Sequence, residues 1–343
     1  MSRRKQYKIN KVHHSIPFLV RYIVIPLSVM ALILVFLGIY TFTNANRIMR
    51  QKPKQLEDFA NNILPAYSSA SFASLDGITT LNGWLFTAVQ KPVSTVIMVH
   101  DQGNNRLQFD VETASLYDFF VDNGFNVLSF DLRHSGNSKG SLSTFGYSEW
   151  ADVIAAISYV RRISSTKDVI LYGFGSGVSA CLIAMQKLAG TDQTSDDTAS
   201  LIEKLEFDDS YIRGLILDSP SLTSDDFIRE FCRSKIFLGK AIGQFTIPYA
   251  IRLSSEASRN YNLAAIITRI QIPVHLIYRK INDRFTDERV MDLVNERQRL
   301  FPDLTTVYSF PAITALQPFI YDTDKYLNSV DEFLIRFFHL PVL

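Results

Sequence analysis

Ser176 lies in the stretch VILYGFGSGV (169–178), a hydroxyl among glycines directly after an apolar run. A serine hydroxyl near neutral pH is a poor nucleophile. Acyl transfer needs a base within hydrogen-bond reach of its Oγ, a carboxylate behind that base, and donors aimed at the developing oxyanion. The glycines fall at 173, 175 and 177, one residue out of register with a G-x-S-x-G pattern centred on Ser176, which asks for 174 and 178. A turn with this composition still lets a strand and a helix approach closely. The base is the deciding residue, and the chain has six histidines: His13, His14, His100, His134, His275 and His339. His13 and His14 precede a long apolar segment, and His275 stands inside an apolar run. No His, Cys and acidic residues share a metal-ligand spacing such as HExxH or CxxC, so neither a metal nor another cofactor is expected. Cys181 and Cys232 are the only cysteines and make no disulfide framework.

The elements that must position Ser176 are legible as alternating extended and helical patterns. Extended runs fall at 79–88, 93–99, 126–130, 169–172, 214–217, 273–278 and 305–310, several of them continuously apolar, as suits strands buried on both faces. Helical spacing appears at 148–163, with Ser148 as N-cap, at 176–188 and around 326–337. Strand followed by helix, several times over, predicts an α/β fold with a mostly parallel central sheet flanked by helices. Residues 190–210, with seven acidic side chains and one lysine, read as a solvated excursion with a short helix at 200–206. Residues 221–262 are rich in Phe, Ile and Tyr without a strand pattern and read as a helical cap insertion.

Charge is distributed unevenly. Through Lys54 there are ten Lys/Arg and no Asp/Glu, which leaves 25 basic against 34 acidic residues for the body. That acidic balance disfavours a nucleic-acid surface. Residues 22–42, YIVIPLSVMALILVFLGIYTF, carry no charge. As a helix they span about 31 Å, the thickness of a bilayer's hydrocarbon core. Six basic residues precede the segment and four follow it. The expected organisation is a basic cytoplasmic tail (1–21), a transmembrane helix (22–42), a juxtamembrane linker (43–70) and a folded domain (71–343). The amino terminus is then cytoplasmic and the main domain extracytoplasmic, a single-pass membrane protein.

Over roughly residues 72–338 the chain resembles the α/β-hydrolase superfamily, and within it the membrane-anchored serine-peptidase-like or esterase-like branch. LNGWLF (81–86) is similar to that branch's early strands, VIMVHDQGNNR (96–106) to its oxyanion loop, and NVLSFDLRHSGNSKG (126–140) to its D-x-R-x-x-G-x-S-x-G stretch. IPVHLIYRKINDRFTDE (272–288) resembles the strand and loop that carry the triad acid. The resemblance implies Ser176 as nucleophile, with the N–H groups of Gln102 and Gly177 as oxyanion donors. It puts the acid at Asn282 by strict spacing, so Asp283, one residue on, is the candidate, ahead of Asp287. Asp218 either reaches the site from the neighbouring strand or caps the following turn. Asp101 stands where the family has glycine, a carboxylate beside the oxyanion hole. The imidazole is expected near Thr314 or Ala315, and no histidine lies in 305–338. His100 is expected to hold its loop, and His134, in the turn 131–138, is the one candidate for an improvised base.

Losing one member of an optimised triad costs on the order of 10⁴ in turnover. The expected function is therefore a membrane-anchored, α/β-hydrolase-like protein that is catalytically impaired and acts as a binding or structural module. Its expected partners are the lipid bilayer, a lipid-like, ester or peptide ligand, and a neighbouring membrane protein. The alternative is a serine hydrolase (an esterase, lipase or peptidase) cleaving substrates near the membrane.

Overall fold

The computed structural model describes residues 18–56, 63–191, 196–257, 259–280, 288–311 and 318–338. A π-turn over Val20–Val24 leads into helix α1 (Ile25–Met49), and the two together are long and apolar enough to cross a membrane. None of the apolar window is buried against the body, unlike a core helix. The helix does not stop at residue 42. Its last two turns bury Thr41, Ala45, Ile48 and Met49 against the folded domain, because that end of the sequence places small and apolar residues at helical spacing.

The strands are β1 (Tyr67–Ala73), β2 (Thr80–Phe86), β3 (Thr95–Val99), β4 (Asn126–Phe130), β5 (Val169–Phe174), β6 (Ile212–Asp218), β7 (Val274–Lys280) and β8 (Thr305–Pro311). They form one sheet in the order β1-β2-β4-β3-β5-β6-β7-β8. β1 pairs with β2, and β2 with β4, antiparallel; every other pair is parallel. β3, β4 and β5 are buried along their whole length, as their unbroken apolar runs require when both faces are covered. β1 was not expected: Tyr67–Ala73 begins inside the stretch read as linker, and YSSASFA lacks the apolar density of a central strand because it lies at the sheet edge.

The helices are α2 (Thr113–Asp122), α3 (Trp150–Ile163), α4 (Ser176–Leu188), α5 (Asp196–Glu203), α6 (Ser224–Lys235), α7 (Gln244–Ser254), α8 (Leu263–Ile267), α9 (Glu288–Leu300), α10 (Pro318–Tyr321) and α11 (Thr323–Phe338). One face of the sheet packs on α3, α4, α8 and the end of α1. The other packs on α2, α10 and α11 through an aromatic layer that includes Phe86, Phe120, Tyr172 and Phe333. Between β6 and β7, α6 and α7 fall inside 221–262, the stretch expected to be a helical insertion, and α8 follows just beyond it. The insertion is tied to the body by Asp225, which accepts from Tyr147 Oη at 2.7 Å and pairs with Arg252. Ser148 is not the N-cap of α3. Glu149 takes the N-cap position but makes no side-chain bond to the helix; its carboxylate accepts instead from Thr144 N (2.6 Å) and Gly146 N (2.8 Å) in the preceding loop.

Candidate functional site

The turn between β5 and α4 is a single residue, Gly175, with φ +50° and ψ −121°. An L side chain rarely adopts this conformation. Ser176, expected at the tip, is instead the first residue of α4 and is 3% exposed. The glycines at 173, 175 and 177 therefore fit G-x-S-x-G in their own register, with Gly175 in the place of the serine. Gly177 is close-packed: a Cβ there would lie 2.2 Å from Val99 O, at the end of β3.

Asp101, on the loop after β3, fills the space over this turn. Its Oδ1 accepts from Ser176 N (2.8 Å), Gln102 N (2.8 Å) and Ser176 Oγ (2.8 Å). Gln102 N also donates to Ser176 Oγ at 2.9 Å. The expected donor pair was Gln102 and Gly177. The N–H groups that converge on one point belong to Gln102 and Ser176, the residue that follows the turn's tip, and Gly177 lies one residue further into the helix. A carboxylate oxygen already sits at their convergence, where the start of a helix favours negative charge. A Cβ on Gly175 would lie 2.4 Å from Asp101 Cγ, so Asp101 and a side chain at 175 exclude each other.

The loop carrying Asp101 is held from several sides. His100 Nε2 accepts from Leu132 N at 3.0 Å, so Nδ1 carries the proton and donates to Asp101 O at 2.8 Å. Burial holds this imidazole below its ordinary range, consistent with the loop-holding role expected of it. Asp101 N donates to Gln108 Oε1 (2.9 Å), and Gln102 Oε1 accepts from Ser143 Oγ (2.6 Å). Arg106 and Asp131 form a buried pair beneath the loop at 2.6 Å. The loop is thus fixed in the position that presents Gln102 N to the turn.

His134 is not brought to Ser176. It sits at φ +54°, and its ring faces backbone carbonyls, Nε2 with Gln51 O at 2.9 Å and Nδ1 with Gly140 O at 3.3 Å. His275 is packed within β7, with Nδ1 2.8 Å from Thr306 Oγ1, and burial pushes it down to about 3. Asp283, Asp287 and Asn282 fall at 281–287 and Thr314 and Ala315 at 312–317, outside the described residues.

Asp218 does reach the turn. It ends β6, pairs in register with Phe174, and its carbonyl accepts from Gly175 N at 2.9 Å. Its carboxyl accepts from Tyr326 Oη (2.7 Å) and Ser219 Oγ (2.8 Å), and Tyr172 Oη in turn bonds Tyr326 Oη. Burial pushes Asp218 up to about 6, against the pull of those two donors and with a further push from Asp101. Sequence reasoning missed the tyrosines, which arrive from β5 and α11 and have no local signature. Asp101, Asp218, Gly175, Phe109 and Arg279 line a cavity of about 120 Å³. This is below the roughly 300 Å³ at which small-molecule pockets begin. Two larger cavities, about 580 and 720 Å³, are lined by other residues, around Ile266 and Arg269 and around Arg133 and Trp150.

This sheet order, the strand-to-helix turn after β5 and the inserted helices define the α/β-hydrolase fold. Solved structures agree. An esterase of Pyrococcus furiosus aligns with a TM-score of 0.60 at 20% identity, over 84% of this chain and 98% of its own. Est1E of Butyrivibrio proteoclasticus, whose structure holds ferulic acid, gives 0.55 at 15% identity over 78% and 99%. The hydrolase GrgF of a Penicillium species gives 0.53 at 16% identity over 80% and 100%. In sequence, the chain is 30% identical to YfhR of Escherichia coli over 119 residues, 34% of this chain and 39% of that protein. It thus spans about two-fifths of that relative's length. No protein-family profile matches the chain.

Proposed function

We propose that this protein is a single-pass membrane protein with a cytoplasmic amino terminus, whose extracytoplasmic α/β-hydrolase-fold domain lacks efficient acyl-transfer chemistry and serves as a binding or structural module. One observation carries the reading: Asp101 Oδ1 accepts both N–H groups that would stabilise an oxyanion. A tetrahedral intermediate developing there would meet a fixed negative charge instead of two vacant donors, which inverts the electrostatics acyl transfer depends on. The glycine at the turn's tip and the lack of any histidine in 305–338 point the same way. The module's partners are a neighbouring membrane protein or a lipid-like, ester or peptide ligand.

The second reading, a serine hydrolase with Ser176 as nucleophile, Asp283 as acid and His134 as base, draws its support from the esterases that share the fold. At these identities the likeness carries the fold alone. Asp101 could in principle take the proton of Ser176 Oγ, 2.8 Å away. As base it would still occupy the oxyanion position, so the two roles compete for one oxygen. Hydrolysis of short-chain p-nitrophenyl esters by the purified full chain discriminates the readings. Equal, background-level rates for the parent and Ser176→Ala are expected; a parent rate many-fold higher, lost in Ser176→Ala, would establish the hydrolase.

A further inference from the structure

The helical insertion carries exposed apolar side chains beside the membrane-spanning helix. Phe237 is 83% exposed, Phe245 71% and Tyr249 60%, with Leu238 next to Phe237. On α7 the residues Phe245 and Tyr249 are four apart and share one face, while Ile247, Ala250 and Ile251 on the opposite face are buried. Folding alone does not call for such rings on the surface. Elsewhere on the body, exposed apolar residues such as Ile78 and Ile163 stand singly, which is ordinary.

Two hydrogen bonds fix where this patch stands along α1. Tyr40 Oη donates to Phe237 O at 2.6 Å, and Thr41 Oγ1 donates to Thr246 Oγ1 at 2.8 Å. Tyr40 and Thr41 are the last residues but two and but one of the uncharged segment 22–42, within about 3 Å of its end along the helix axis. Phe237 and the neighbour of Phe245 are therefore pinned at the level where that segment leaves the hydrocarbon. The charge of the insertion suits the same surroundings. Residues 231–255 contain Arg233, Lys235, Lys240 and Arg252 and no acidic residue, although the body as a whole is acidic. Aromatic rings beside basic side chains are what a bilayer interface accepts.

We infer that the insertion is a second membrane contact: Phe237, Leu238 and Phe245 enter the interfacial layer of an anionic-lipid-containing bilayer, with Lys235 and Lys240 against its headgroups. The domain is then held in one orientation on the lipid surface instead of swinging from a single helix. This rests on the reading that 22–42 spans the membrane, and the test separates the two. Nitroxide labels are placed on the full chain at Phe237→Cys, Phe245→Cys, Ile163→Cys and Val29→Cys, in vesicles of phosphatidylcholine and phosphatidylglycerol. The native Cys181 and Cys232 are buried. Accessibility to oxygen and to an aqueous nickel complex is read at each site. The expected result is that labels at 237 and 245 lose relaxation by nickel and gain it from oxygen relative to 163, as the label at 29 does. Lipid exposure at 29 with water exposure at 237 and 245 overturns the second contact and leaves the span intact. Shielding of 237 and 245 from both relaxants means a protein covers the patch and also overturns it. Water exposure at 29 removes the span and the inference together.

Discussion

The decisive residue is Asp101, and its consequences can be measured one substitution at a time. Gly175→Ser alone forces a Cβ to 2.4 Å from Asp101 Cγ in a backbone region unfavourable to side chains, and should cost about 2 kcal/mol or more. In an Asp101→Gly background the clash is gone, so the cost should fall by at least about 1 kcal/mol, a coupling that a denaturation cycle of the four proteins reads directly. Additive costs would mean that the two positions do not compete for space. Asp218 gives a pH signature. Its carboxyl is raised from 3.8 to about 6 in the folded protein, so between those values the folded state binds more protons than the unfolded one. Its contribution is present below about pH 4 and is lost as pH rises through about 6. Relative to Asp218→Asn, the parent should lose up to about 3 kcal/mol between pH 4 and pH 8; parallel stability profiles would contradict the assignment. Of this arrangement the sequence disclosed the turn after β5, the loop after β3 that packs over it, and the unusual carboxylate at Asp101. It did not disclose the register, because Ser176 drew attention one residue past the tip. The spacing of the glycines at 173, 175 and 177 was the available signal. The Tyr172–Tyr326–Asp218 chain joins residues 154 and 108 positions apart, which no local pattern reveals.

At the scale of elements, seven of the eight strands among the described residues were legible because central strands of a parallel sheet are unbroken apolar runs. The edge strand β1 was not, since a half-solvated strand can be built from serine and alanine. The long apolar helix was legible from length and lack of charge, whereas the continuation of α1 to Met49 depends on packing against the body, α7 included, that only the fold supplies. The insertion's attachment is open to test through Asp225, which holds Tyr147 of the body and Arg252 of α7 together. Asp225→Ala leaves both groups without their carboxylate and should cost about 2 kcal/mol. Amide exchange should speed up in 224–254 while β3 and β5 keep their protection. Unchanged exchange in the insertion would show that its apolar packing suffices.

At the scale of the whole molecule, the proposed function joins a helix taken to cross the bilayer to a hydrolase-fold body in which the Asp101 carboxylate occupies the donors proposed for an oxyanion. Membranes carrying the full chain should retain it through alkaline carbonate washing; release into the wash would mean that the helix does not span. The most direct measurement of the site's chemistry is intact-mass analysis of the purified full chain after exposure to a fluorophosphonate, which adds one mass increment to an activated serine. The account predicts no increment, with Ser176→Ala indistinguishable from the parent. A stoichiometric increment on the parent that disappears in Ser176→Ala would contradict it.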